Sequence, residues 1–391
     1  MPGQSGGVAG RDLPAVARGL RDTIWAARQE TDALRRLPPA VVEALRGAGL
    51  NRLAVEAALG GFEADALSIL QVYEELGAIE ASAAWIVWNN QLGCIAGRHL
   101  ADEPRRELFG NSRALFANST RPSAKAYVVE GGIRLVGRWT LVSGCELADW
   151  LLLIGQLMDG DEPRYARPSV PASRMGFVPK GSFEIVDTWT TGGLRGTGSH
   201  DVVADGIFVP DERTCGFMDP IQADVPILRM PFRATMAANM ASISLGVARA
   251  AVDAFVELAH EKLPVNAVPR LRDRPEIHIV VAGAAAELDA ARLLLHAAVG
   301  DLWAACVANE PRPDALHGRA IGGAAHAIQT AKRVVTTMFE VAGTSALYVD
   351  NPLERAHRDV FAIGQHSILG PKFQEDAGRI RMGLPSGIPL F

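Results

Sequence analysis

The hydrophobic period of this chain changes twice along its length, and that limits the fold more than any motif does. From residue 12 to about 115 apolar side chains recur at helical spacing, as at Leu13, Val16, Leu20 and Ile24. Asp12 with Pro14 makes a helix start, and Pro38-Pro39 opens a second helix, AVVEALRGAG. The run EADALSILQVYEELGAIEASAAWIVWNNQLGCIAGRHL reads as two long apolar helices broken near Gly77. From 116 to about 220 apolar and polar residues alternate instead. AKAYVVEGGIRLVGRWTLVSG reads as a hairpin turning at Gly131-Gly132, and LADWLLLIGQLM as a buried strand. RMGFVPKGSFEIVDTW reads as a turn-linked pair, and HDVVADGIFVP as a last strand stopped by Pro210. From about 230 the helical period returns in four stretches, the fourth started by Asn351, Pro352 and Glu354. The expectation is an α+β chain: an all-helical N-terminal domain (1–115), a middle antiparallel β-barrel domain (116–225) and a C-terminal four-helix bundle (226–391).

Composition excludes several function classes. The formal charge of the 391 residues is -5, with no run of Lys or Arg, so nucleic acid and anionic membrane are poor partners. Cys94, Cys145, Cys215 and Cys306 form no CxxC pair, which argues against zinc and a disulfide framework and fits a reducing cytosol. The opening MPGQSGGVAGRD has no basic-then-apolar leader, and the longest apolar runs are too short for a bilayer. A cytoplasmic protein is expected. No GxGxxG follows a strand, so no dinucleotide fold for NAD(P)H is visible. No HExxH or HxxxH pair suggests a metal, and no GxSxG elbow suggests a hydrolase.

Three stretches carry a family resemblance: GRWTLVSGCELADW (137–150), GLRGTGSHDVVADGIFVP (193–210) and NPLERAHRDVFAIGQH (351–366). Together with the helix–strand–helix order, they resemble the two-component flavin-dependent monooxygenases of the acyl-CoA dehydrogenase fold. The resemblance implies an oxygenase component that receives reduced FMN or FAD from a separate NAD(P)H:flavin reductase. It implies a C4a-(hydro)peroxyflavin and hydroxylation, or nitrogen or sulfur oxidation, of an aromatic or heterocyclic small molecule, in a homotetramer. In many dehydrogenases of this fold a glutamate base stands nine residues past the Arg of an Arg-Asp pair. Counting nine from Arg358 reaches Ser367, and His366 precedes it. A dehydrogenase with a displaced base, Glu257 or Glu261, is one alternative. A redox-inactive binding protein is the other, kept open by Cys145-Glu146 where relatives carry other polar residues.

The candidate residues follow. His366 and Ser143 are the candidate catalytic groups; a histidine titrating near neutrality suits proton transfer. Arg355, Asp359, Ala362 and His366 fall at three- and four-residue spacings, which on a helix is one face. The resemblance implies flavin contacts for Trp85, Asn118, Ser119, Thr120, Trp139, Ser143, Gly144, Arg195, Thr197 and Ser199. It implies contacts to a neighbouring subunit's flavin phosphate for Arg270 and Arg272. Trp85, Asn89, Asn90, Cys145, Arg233 and His366 are expected at the substrate pocket. Arg358 and Asp359 are expected to form a structural ion pair.

Overall fold

The computed structural model describes residues 11–167, 170–265, 268–311 and 313–388. Residues 1–10, the bulk of the opening stretch read as lacking a leader, lie outside them. Seven helices come first: α1 (Leu13–Arg18), α2 (Arg21–Ala26), α3 (Arg28–Leu34), α4 (Pro39–Gly47), α5 (Ala66–Ile79), α6 (Ala81–Ala96) and α7 (Asp102–Phe109). Local chemistry sets their ends. The Asp65 carboxylate accepts from Ser68 N at 2.9 Å to start α5, and Glu80 accepts from Ser82 N at 3.2 Å to start α6. Glu80, not Gly77, therefore breaks the long apolar run. Gly77 stays helical because α5 needs it for packing.

The strands are β1 (Phe116–Val129), β2 (Gly132–Val142), β3 (Trp150–Asp159), β4 (Glu162–Pro163), β5 (Tyr165–Arg167), β6 (Val170–Pro171), β7 (Ser173–Pro179), β8 (Glu184–Val186), β9 (His200–Pro210) and β10 (Thr214–Cys215). The principal sheet runs β10-β7-β3-β1-β2-β9-β8, with β4 on β3; β5 and β6 pair separately. The β1–β2 hairpin turns at Glu130-Gly131, where Gly131 has φ of 75°. Two details depart from the sequence reading. β1 pairs with β3 in parallel, so the sheet is not wholly antiparallel. β7 and β8 pair with β3 and β9, not with each other, because 180–183 turns the chain out of the β7 edge. The core of this layer is centred on Trp139, wholly buried among Leu135, Leu151, Val202 and their neighbours.

The C-terminal helices are α8 (Phe232–Glu261), α9 (Pro275–Val307), α10 (Asp314–Ala342), α11 (Pro352–Ile363) and α12 (Pro371–Arg381). α5 lies against α8 with backbone on backbone: a Cβ added at Gly246 would sit 2.1 Å from Glu74 O, and one at Gly77 would sit 2.5 Å from Ile243 O. Arg355 on α11 ties this bundle to the N-terminal helices, donating to Glu80 at 2.9 Å and pairing with Asp32 at 3.1 Å. Arg358 pairs with Asp32 and Glu354, and Asp359 Oδ1 accepts from Leu194 N at 2.7 Å. The expected Arg358–Asp359 pair is thus replaced by two separate anchors, since neighbours on a helix point in different directions. No helix among the described residues is long and apolar enough to cross a membrane.

Candidate active site

All sixteen residues of α6 are buried, so this helix runs through the centre of the molecule with a partner on every side. A cavity of about 480 Å³ opens where it meets β1, the turn after β2, the 189–199 segment, the start of α8 and the turn joining α11 to α12. Its walls are aromatic. Trp85 and Trp88, three apart on α6, meet with ring centroids 4.5 Å apart and planes tilted by 54°, and the His366 ring lies 6.0 Å and 5.9 Å from them. Trp189, Phe217, Phe232 and Phe373 complete the apolar wall.

One edge is polar. Trp85 Nε1 donates to Ser143 Oγ at 3.0 Å, and Ser143 Oγ lies 2.7 Å from Ser199 Oγ. Asn89 Nδ2 donates to Ser143 O at 2.8 Å, and Asn118 Nδ2 donates to Asn89 Oδ1 at 2.9 Å. Ser143 is placed by the turn that follows it: Gly144 has φ of 77°, the left-handed conformation glycine adopts without a steric penalty. Leu141, two residues before, is held at φ of 58° on the cavity wall, and strain of this kind clusters at functional sites. Asn118, Ser119 and Thr120 line the cavity from within β1.

His366 also reaches the cavity, but not from a helix face. α11 ends at Ile363 with Gly364 as its C-cap, and His366 caps the short turn Ser367–Leu369, its Nδ1 accepting from Ile368 N at 3.3 Å. The shared face with Arg355 and Asp359 therefore does not extend to it. Burial pushes the imidazole down to about 4, and the Arg121 guanidinium adds to that shift. The expectation of a near-neutral histidine is overturned: the apolar wall disfavours the cation. With Nδ1 accepting a backbone hydrogen, the neutral ring carries its proton on Nε2. Nitrogen-15 NMR of the ring is expected to report that neutral Nε2–H tautomer from pH 8 down to about pH 5. A titration midpoint above 6 would contradict it.

Of the other sequence candidates, Arg233 lines the cavity, its guanidinium 5.5 Å from the Phe373 ring. The rest stand elsewhere. Asn90 faces away from the cavity, donating to Asn51 O at 2.6 Å and accepting from Phe116 N at 2.8 Å. Trp139 is inside the sheet core, its Nε1 on Ile154 O at 2.7 Å. Gly144 turns the chain but lines nothing, and Cys145 is buried behind it, its thiol pushed up to about 12 by burial. Thr197 lies one residue behind the lining, against Ser199. Arg195 reaches Asp32 O and Thr191 O, and Arg270 and Arg272 are exposed beside His260, away from the cavity. Sequence reasoning missed Trp88, although its three-residue spacing from Trp85 marks the same helix face. It also missed Trp189, Phe217, Phe232 and Phe373, which only tertiary packing assembles. Glu257 and Glu261 are exposed near the far end of α8, and neither lines the cavity.

Residues 14–107 match the family model "Acyl-CoA dehydrogenase, N-terminal domain" and residues 238–371 match "Acyl-CoA dehydrogenase, C-terminal domain". The oxygenase subunit HsaA of a flavin-dependent monooxygenase from Rhodococcus jostii is 30% identical over 369 residues, covering 90% of this chain and 93% of that protein. Indole-3-acetate monooxygenase of Pseudomonas putida is 28% identical over 376 residues, covering 96% of this chain and 94% of that protein. The structure of XiaF from Streptomyces sp., in complex with FADH2 and glycerol, superposes with a TM-score of 0.89 at 26% identity, covering 97% of each chain. The fold is that of the acyl-CoA dehydrogenases, with helical ends and a central sheet. Within it, this chain belongs to the oxygenase subunits of flavin-dependent monooxygenases.

Proposed function

We propose that this oxygenase component takes reduced FMN or FAD from a separate NAD(P)H:flavin reductase and hydroxylates, or oxidises at nitrogen or sulfur, an aromatic or heterocyclic small molecule bound in the cavity. The observation that carries this reading is the cavity itself: an aromatic pocket with a neutral histidine in its wall and a hydroxyl edge. Among the described lining residues there is no Asp or Glu, so no carboxylate stands ready to remove an α-proton as a dehydrogenase requires. The residues present fit a flavin ring, since flat aromatic walls suit a planar ring system and the Ser143–Asn118 edge suits its polar margin. Bound reduced flavin supplies the two electrons with which one oxygen atom enters the product and the other leaves as water.

The chain's own groups do the rest. Trp85, Trp88 and the phenylalanines exclude water, which protects a reactive centre from hydrolysis. His366 holds a proton at Nε2, where it serves as a hydrogen-bond donor to a substrate or oxygen atom. Assembly as a homotetramer is part of the proposal. α9 buries Leu288, Leu295 and Leu302 yet exposes Ile279 (74%), Leu293 (67%) and Val307 (51%), so its outer face is apolar where a lone chain would be polar. Arg270 and Arg272, exposed just before α9, are candidates for a neighbouring subunit's flavin phosphate in that assembly.

The test is anaerobic titration with reduced FMN and FAD, followed by oxygen and a panel of phenolic and heteroaromatic compounds. Binding of reduced flavin, and oxygen use coupled to a hydroxylated or oxidised product, are expected. Protein that purifies with tightly held FAD and is bleached by an acyl-CoA would overturn the reading.

A further inference from the structure

Behind the polar edge lies a chain of hydroxyl groups that ends on a carbonyl. Thr197 Oγ1 is 2.8 Å from Leu194 O, Ser199 Oγ is 2.7 Å from Thr197 Oγ1, and Ser143 Oγ is 2.7 Å from Ser199 Oγ. Trp85 Nε1 meets Ser143 Oγ at the other end, 3.0 Å away. Both ends have fixed polarity, since a carbonyl only accepts and an indole N–H only donates. Each hydroxyl has one proton. Thr197 must place its proton on Leu194 O, because two oxygen lone pairs at 2.8 Å would otherwise face each other. Ser199 must then donate to Thr197, and Ser143 to Ser199.

The carbonyl at the end is itself held. Leu194 N donates to Asp359 Oδ1 at 2.7 Å, and Leu194 O also accepts from Thr197 N and Trp189 Nε1, each at 3.1 Å. Gly144 N in turn donates to Thr197 O at 2.8 Å, which ties Thr197 to the Ser143 turn. Thr197 is 1% exposed and outside the cavity lining, whereas Ser143 and Ser199 are part of it. Ser143 consequently has no proton to offer the cavity. It offers one remaining lone pair, and whatever bonds to its Oγ there must be a donor.

We propose that Thr197 is a positioning residue: by orienting the Ser199 and Ser143 hydroxyls it makes Ser143 an obligate acceptor, and the cavity thereby selects reduced over oxidised flavin. Reduced flavin carries a hydrogen on N5, whereas N5 of oxidised flavin only accepts. The inference rests on the proposed function, in which a flavin ring occupies this cavity with its polar margin on the Ser143–Asn118 edge, and adds that N5 is the margin atom that would meet Ser143. It adds the cause of a redox preference and the residue that sets it, two positions from any lining group.

The test compares dissociation constants of oxidised FMN with those of photoreduced FMN, followed anaerobically by protein tryptophan fluorescence. In T197V the Ser199 proton loses its acceptor and turns to Ser143, whose own proton then points into the cavity. The oxidised-to-reduced Kd ratio is expected to fall roughly tenfold, about the worth of one hydrogen bond. T197S keeps the hydroxyl and should keep the ratio, which a purely packing role for the threonine methyl would not predict. S199A cuts the same chain and should lower the ratio equally, so the proposal remains testable if T197V fails to fold. In the S143A background T197V should have no further effect. A ratio unchanged by T197V and S199A but shifted by S143A overturns the role of Thr197 while leaving flavin at Ser143. If S143A alters neither Kd, or wild-type protein binds neither form, the underlying reading of the cavity falls as well.

Discussion

Replacing His366 by alanine is expected to lower product formation about 10²- to 10³-fold, the usual worth of a positioned proton donor or acceptor. Reduced-flavin affinity should change only a few-fold, because the polar edge at Ser143 and Asn118 is left intact. Oxygen consumption should continue, with hydrogen peroxide replacing product, because truncating the imidazole opens a space beside Trp85 and Trp88 that water can enter. His366→Asn retains an N–H donor on a shorter side chain and should recover part of the coupling. The measurement is product and peroxide yield per flavin oxidised. An unchanged yield in His366→Ala with normal flavin binding removes the histidine from the reaction.

The second large effect is on stability. Arg355→Met is expected to destabilise the chain by about 3–5 kcal/mol, the range for removing one partner of a buried ion pair. Glu80 has a side chain 1% exposed, and Arg355 is the cation that meets its carboxylate, at 2.9 Å. Burial already pushes the Glu80 carboxyl up from its ordinary range, and Arg355 opposes that shift. Without the guanidinium, Glu80 must protonate or draw water into the junction of α5, α6 and α11. Glu80→Gln combined with Arg355→Met removes both charges, so the double variant should recover a substantial part of the loss. Urea unfolding of the two single variants and the double variant closes the cycle. A loss below about 1 kcal/mol in Arg355→Met would place the pair among weakly contributing contacts.

Element types were legible wherever period and length agreed, as in the long helices and the β1–β2 hairpin. The break between α5 and α6 falls not at Gly77, where a glycine suggests it, but at Glu80, whose side chain caps the next helix. The strand pairing after β3 was not legible. Adjacent alternating segments suggest a hairpin, but β7 returns to β3 and β8 joins β9 across the sheet. Among the cavity-lining residues, Ser143 and His366 stand in the motif stretches and Asn89 one helical turn after Trp85, whereas the phenylalanine wall was not legible, because Phe217, Phe232 and Phe373 share no local pattern. The histidine's titration was not legible for a related reason: an ordinary near-neutral imidazole is the expectation from sequence, but Gly364 ends the helix and the ring is buried against two tryptophans, which lowers its pKa. Cys145 and Asn90 show the reverse error: Asn90 adjoins the cavity residue Asn89 and Cys145 lies two residues past Ser143, yet each points into a different part of the core.

The crossing of α5 and α8 has a consequence for how such a site changes over generations. At Gly77 and Gly246 the two helices touch through main chain, so their separation has no side chain that substitution can trim or enlarge. α6 continues directly from α5 and carries Trp85 and Trp88, while α8 begins with Phe232 and Met236 on the opposite wall. The frame that spaces these walls is thus held apart from the residues that shape the void between them. Lining residues can be exchanged for different substrates while the scaffold keeps one geometry, and the freedom to vary is concentrated where recognition happens.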